Sequence, residues 1–111
     1  MNQKFDTQEV ALEMAAELRP GLDALGRRDR DLADQVRRAA ASVVLNIAEG
    51  AGRRGKDRIQ HYRIAAGSAG ETAVALRLAK AWGYLAGADV QVAEALLVRV
   101  QAMLWKLTRG A

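Results

Sequence analysis

The chain has 111 residues, a formal net charge of +4, 50% hydrophobic and 27% charged residues, one His, one Pro and no Cys. That length makes a single domain able to bury a core, and the apolar fraction excludes a disordered chain. Without Cys there is no disulfide, thiolate metal site or Cys nucleophile, and one His leaves little for a His-rich metal centre or a Ser-His-Asp triad.

Ala is about one residue in five, an excess that favours helix over sheet. Four helical segments are predicted in chain order. The first spans Thr7 to Leu25, with Thr7 as N-cap and an apolar stripe of Val10, Met14, Leu18, Leu22 and Leu25. Pro20-Gly21 interrupts it, but the stripe keeps phase, so one kinked helix is expected. The second starts near Asp29 or Asp31 and ends at Gly50. Its stripe is Leu32, Val36, Ala40, Val43 and Ile47, and Gly50 and Gly52 supply a left-handed stop. The third runs from Asp57 to Trp82, with Ile59, Tyr62, Ala66, Ala69, Ala73 and Leu76 as a heptad seam. The fourth runs from Asp89, as N-cap, to Arg109, with Val90, Ala93, Leu97, Val100, Leu104 and Leu107 inside. Short connections between these segments predict an all-α, antiparallel up-down-up-down four-helix bundle with a kinked first helix, in one domain over 1–111.

Charge is unevenly placed. Residues 1–26 hold two bases and five acids, residues 27–63 ten bases and five acids, and residues 64–111 five bases and three acids. The basic middle suggests phosphate contact, against the alternative of an ordinary solvated face. The first ten residues show no apolar targeting core, and no apolar run approaches the ~20 residues of a membrane span. A cytoplasmic protein is expected.

Gly50-Ala51-Gly52-Arg53-Arg54-Gly55 matches the dinucleotide fingerprint, and with Lys56 it matches the start of a P-loop. Neither reading holds. A P-loop requires Ser or Thr where this chain has Asp57, and no βαβ units surround the motif. No nucleotide cofactor and no metal are expected.

Ser42, Asn46, Glu49 and Arg53 form a polar stripe on the second helix, and His61, Ser68 and Glu71 form one on the third. In an antiparallel hairpin, facing positions sum to roughly 107. That sets Asn46 opposite His61, Glu49 opposite Arg58, and Arg37 or Arg38 opposite Ser68 and Glu71. The pattern suits a structural polar network better than a catalytic pair, because Glu49 and Glu71 would lie about 15 Å apart. Among the aromatics, Tyr62 falls on the seam and reads as core. Trp82 and Tyr84 flank Gly83 at a helix end and read as helix packing, and Trp105 stands in no alternation of aromatic and basic residues of the kind that single-strand binders use.

The run Gln35-Val36-Arg37-Arg38-Ala39-Ala40, then Ser42, Asn46-Ile47-Ala48-Glu49-Gly50 and Gly52-Arg53, resembles the bacterial four-helix bundle proteins encoded in intervening sequences of 23S ribosomal RNA genes. The resemblance continues through Lys56-Asp57, Ile64-Ala65, Gly67-Ser68, Glu71, Leu78-Ala79-Lys80 and Gly83-Tyr84-Leu85, and covers residues 32–86. Asn-Ile-Ala-Glu-Gly followed by Gly-Ser-x-x-Glu is its most specific part. Val43-Val44-Leu45 replaces a stretch where the family has Pro, so a straighter second helix is expected. Ile59 stands where an aromatic is common, and the family's N-terminal Trp is missing.

The resemblance implies a homo-oligomer, in relatives a ring-shaped pentamer, with no known enzymatic activity. It also implies kinship with accessory proteins of diversity-generating retroelements, which share the bundle and bind nucleic acid and a reverse transcriptase. Together with the basic segment, it points to a non-enzymatic protein binding RNA or DNA through Arg27, Arg28, Arg30, Arg53, Arg54, Lys56 and Arg58. The alternative is a protein–protein scaffold, favoured if Arg53, Arg54 and Arg58 are taken up by Glu49 and Asp57. Self-association is expected independently, because the third and fourth helices carry apolar residues beyond their seams: Ala65, Ala75, Leu78, Ala79, Trp82 and Tyr84, then Leu96, Val98 and Met103.

Overall fold

The computed structural model describes residues 3–109, which form five helices and no strand. They are α1 (Gln3–Glu17), α2 (Arg19–Arg28), α3 (Arg30–Ala51), α4 (Gly55–Ala81) and α5 (Gly87–Thr108). They pack as a helical bundle of 42 × 24 × 20 Å. α3 lies along α4, α4 along α5, and α1 along α5 and α3, while α2 closes one end against α3.

The expected first helix is two helices. Pro20 sits in the first turn of α2, where its missing N–H has no intrahelical acceptor to lose. Leu18 forms the joint, its N–H shared between the carbonyls of Met14 (3.2 Å) and Ala15 (3.3 Å). The stripe nonetheless stays in phase: Val10, Met14, Leu18 and Leu25 are buried and Leu22 packs against them. Thr7 is not an N-cap. It lies inside α1 and is fully buried. Gly21 lets α2 approach the start of α5, since a Cβ there would fall 2.4 Å from Val90 Cγ1.

α3 begins as predicted. Asp29 caps it, accepting the Leu32 N–H at 3.0 Å, and the helix runs unbroken through Val43-Val44-Leu45. The whole expected stripe is buried. Its end differs from expectation. Gly50 is helical and Gly52 has φ −88°, so neither is left-handed; the positive φ falls on Gly55, at +58°. Gly50 instead serves close packing, because a Cβ there would stand 2.6 Å from Tyr62 Cε1.

The α4 seam is Tyr62, Ala65, Ala69, Thr72, Leu76 and Ala79, all buried. Ile59, Ala66 and Ala73, expected inside, are only half-buried. Thr72 is tolerated in that seam because its hydroxyl donates to the Ser68 carbonyl at 2.8 Å. In α5, Asp89 is not the N-cap but lies one turn inside, accepting the Ala86 N–H at 3.0 Å. Its buried set adds Leu96 to the expected residues, while Leu107 is half-buried.

Candidate functional site

α3 and α4 meet through a polar seam that fixes their antiparallel register. Asn46 Oδ1 and His61 Nδ1 are 3.0 Å apart, the pairing that hairpin geometry predicts. Asn46 Nδ2 also donates to the Ser42 carbonyl at 3.0 Å, and Ser42 Oγ meets Ser68 Oγ at 2.7 Å. Four of the expected network residues are therefore one connected chain. The others lie elsewhere. Arg37 pairs with Asp34 on its own helix, and Arg38 is exposed, so neither faces Ser68. Glu71 lies in an open groove with Leu32 and Gln35. Gln35 precedes Glu49 by fourteen residues along α3, so the two glutamates are separated by about 21 Å. That distance rules out shared acid–base work on one bond.

At the α3–α4 turn, Arg53 is held between two carboxylates, donating to Asp57 Oδ2 at 2.9 Å and Glu49 Oε2 at 3.3 Å. Asp57 above all, then Glu49, raises the pKa of this guanidinium, which stays charged but is occupied. Arg58 misses Glu49 by one residue and donates instead to the Gly50 carbonyl at 3.1 Å, tying the start of α4 to the end of α3. His61 Nε2 stands 3.9 Å from Asp57 Oδ1.

Beyond that cluster, the start of α4 and the end of α5 form an open groove of about 880 Å³. Lys56, Arg58, Arg63 and Arg109 line it, with Ile59 and Gln60. Four cationic side chains thus gather on one concavity. Arg63 and Arg109 were not foreseen as site residues. The hairpin arithmetic that pairs Asn46 with His61, applied to the α4–α5 turn, would have found them. That second register is visible in Lys80, which donates to both Glu94 oxygens at 2.8 and 2.7 Å.

The seven expected binding residues do not form one surface. Arg53, Arg54, Lys56 and Arg58 gather at the α3–α4 turn, while Arg27, Arg28 and Arg30 flank the start of α3. The length of α3, about 33 Å, separates the two groups. At the far end, the Arg28 guanidinium lies 5.4 Å over the Tyr84 ring, which meets Trp82 edge-on at 5.9 Å. Asp29, Asp31, Asp89 and Glu94 share that end and offset its positive charge.

The family of 23S rRNA-intervening sequence proteins matches over residues 5–106, nearly the whole chain. The chain belongs to this family. Among solved structures, a protein of unknown function from the S23 ribosomal protein family of Bacteroides thetaiotaomicron has the same fold. It superposes with a TM-score of 0.86 at 19% identity, over 97% of this chain and 99% of that one. No curated protein matches. In this 23S rRNA-intervening sequence protein, Ser42, Asn46, His61 and Ser68 hold α3 against α4. This member's Val43-Val44-Leu45 leaves α3 continuous where Pro would interrupt it. No helix among the described residues is long and apolar enough to cross a membrane.

Proposed function

We propose that this chain is a non-enzymatic, self-associating cytoplasmic protein that binds RNA or DNA through phosphates at the α3–α4 turn. The supporting observation is the convergence of Lys56, Arg58, Arg63 and Arg109 on one groove, with Arg54 beside it. Arg53, committed to two carboxylates, shapes the turn instead. Phosphate contacts carry no base information, so recognition is weakly sequence-specific.

In this reading α1 and α2 together serve as one leg of an up-down-up-down four-helix bundle, and the outward face of α4 meets a second copy. Ile64, Gly67, Glu71, Val74 and Leu78 repeat at spacings of three and four on that exposed face, and Glu71, Val74 and Leu78 leave an open groove against Leu32 and Gln35 of α3. A closed ring suits such a face if it meets a different face of the next subunit. The surplus apolar surface is smaller than the sequence suggests, because Ala65, Ala79 and Leu96 are buried within the monomer.

Fluorescence anisotropy of a labelled oligonucleotide across a salt series tests the binding. Affinity is highest at low salt and falls with a log–log slope of about −3 for a single strand held by four cations. The double reversal Lys56→Glu with Arg109→Glu abolishes most of that dependence, whereas Arg27→Glu with Arg30→Glu leaves it. Absence of binding at low salt overturns the proposal and favours the protein scaffold.

A further inference from the structure

We infer that the cationic groove takes an unpaired strand rather than a duplex, with a base stacked on Trp105. This rests on the phosphate-binding proposal above and names the form of its ligand. Trp105 is 64% exposed, as large an exposure as any big apolar side chain among the described residues has. It lies in the last turn of α5, four positions before Arg109, the groove residue that caps the helix, so about 6 Å along the axis separates the two. Gln101 and Thr108, on the flank of α5 that meets α4, are half-buried polar residues. The indole thus stands one turn from Arg109, outside the lining of the groove but next to its α5 edge.

An indole beside a basic groove is the pairing that single-strand binders use: cations follow the phosphates and the ring receives a base. The pairing arises only in three dimensions, since Lys56, Arg58 and Arg63 lie more than forty residues from Trp105 in the chain. A duplex offers phosphates but keeps its base faces stacked, so it can fill the groove without touching the ring.

The experiment uses full-length protein carrying Trp82→Phe, which leaves Trp105 as the reporter. A short pyrimidine single strand and a duplex of the same sequence are titrated at low salt, following indole emission and, separately, affinity by anisotropy. The single strand is expected to quench Trp105, and the duplex is not. In the Trp82-containing protein, Trp105→Ala weakens single-strand affinity about tenfold or more, within the range for one stacked base. Trp105→Phe restores much of it, and duplex affinity stays unchanged. Circular dichroism melts establish that each variant is folded. Equal single-strand and duplex affinities, both indifferent to Trp105→Ala, overturn the stacking inference while leaving phosphate binding standing. Failure of both probes to bind overturns the two together. Emission that changes with protein concentration alone assigns Trp105 to a contact between copies and also overturns the inference.

Discussion

Tyr62 and Gly50 show how one side chain sets the contact between two helices. The Tyr62 ring lies against the Gly50 backbone, and its hydroxyl is buried without a hydrogen-bond partner. Burial pushes the phenol pKa above its ordinary value, and the nearby Arg58 charge only partly opposes this. Above the ordinary Tyr value of about 10, the unfolded chain therefore loses this proton before the folded one does. The folded state then binds more protons, so stability falls as pH rises through and beyond that point. Tyr62→Phe keeps the ring contact and removes the orphan hydroxyl. It is expected to stabilise the protein by about 1 kcal/mol at neutral pH and to flatten the alkaline decline. Urea melts of both proteins at neutral and alkaline pH measure this; destabilisation by Phe would mean the hydroxyl has a partner after all.

Helix boundaries here are decided by a few capping groups. Asp29 both ends α2, its N–H reaching the Leu25 carbonyl at 2.8 Å, and starts α3 through its carboxylate. Asp89 holds the α5 start from one turn inside, because Ala86 at the N-cap has no side-chain acceptor. Removing the Asp29 carboxylate leaves the Leu32 N–H without its partner and strips an anion from the positive end of α3. Asp29→Ala is expected to cost about 1 kcal/mol and lower the melting temperature by about 4 °C. Asp29→Ser, which retains an acceptor, recovers most of the loss. Equal melting temperatures for wild type and Asp29→Ala would show that the cap contributes nothing.

Across the whole molecule, α4 carries two seams. The inner one packs against α3 and α5, and the outer one is exposed along Ile64, Gly67, Glu71, Val74 and Leu78. Gly67 has no atom of the described residues within 4 Å of where its Cβ would be, so no contact among them requires glycine there. A mid-helix glycine costs about 1 kcal/mol relative to alanine. A close backbone approach by another subunit would account for it. Light scattering is expected to give a mass several times 12.0 kDa. Val74→Glu with Leu78→Glu places two charges on the exposed seam and is expected to yield a folded monomer. A monomeric wild type would refute the self-association proposal.

Much of this was legible before any coordinates. The α3 and α5 cores follow from helical periodicity, because apolar residues three and four apart share one face in any amphipathic helix. The α3–α4 register followed from the turn position, which is why Asn46 and His61 meet as expected. Other features depend on neighbours that periodicity cannot see. Whether Pro20 kinks or divides a helix depends on where the Leu18 N–H finds its acceptors. Gly50 looked like a stop, but Tyr62 makes it a point of close packing. The seven candidate arginines and lysine, near in sequence, sit at opposite ends of α3, since a helix converts sequence distance into axial distance. Arg63 and Arg109, remote in sequence, line one groove because α4 and α5 run side by side there. Local propensity and periodicity specify each helix and its buried face; only the packing of one helix against another brings distant charges and rings together.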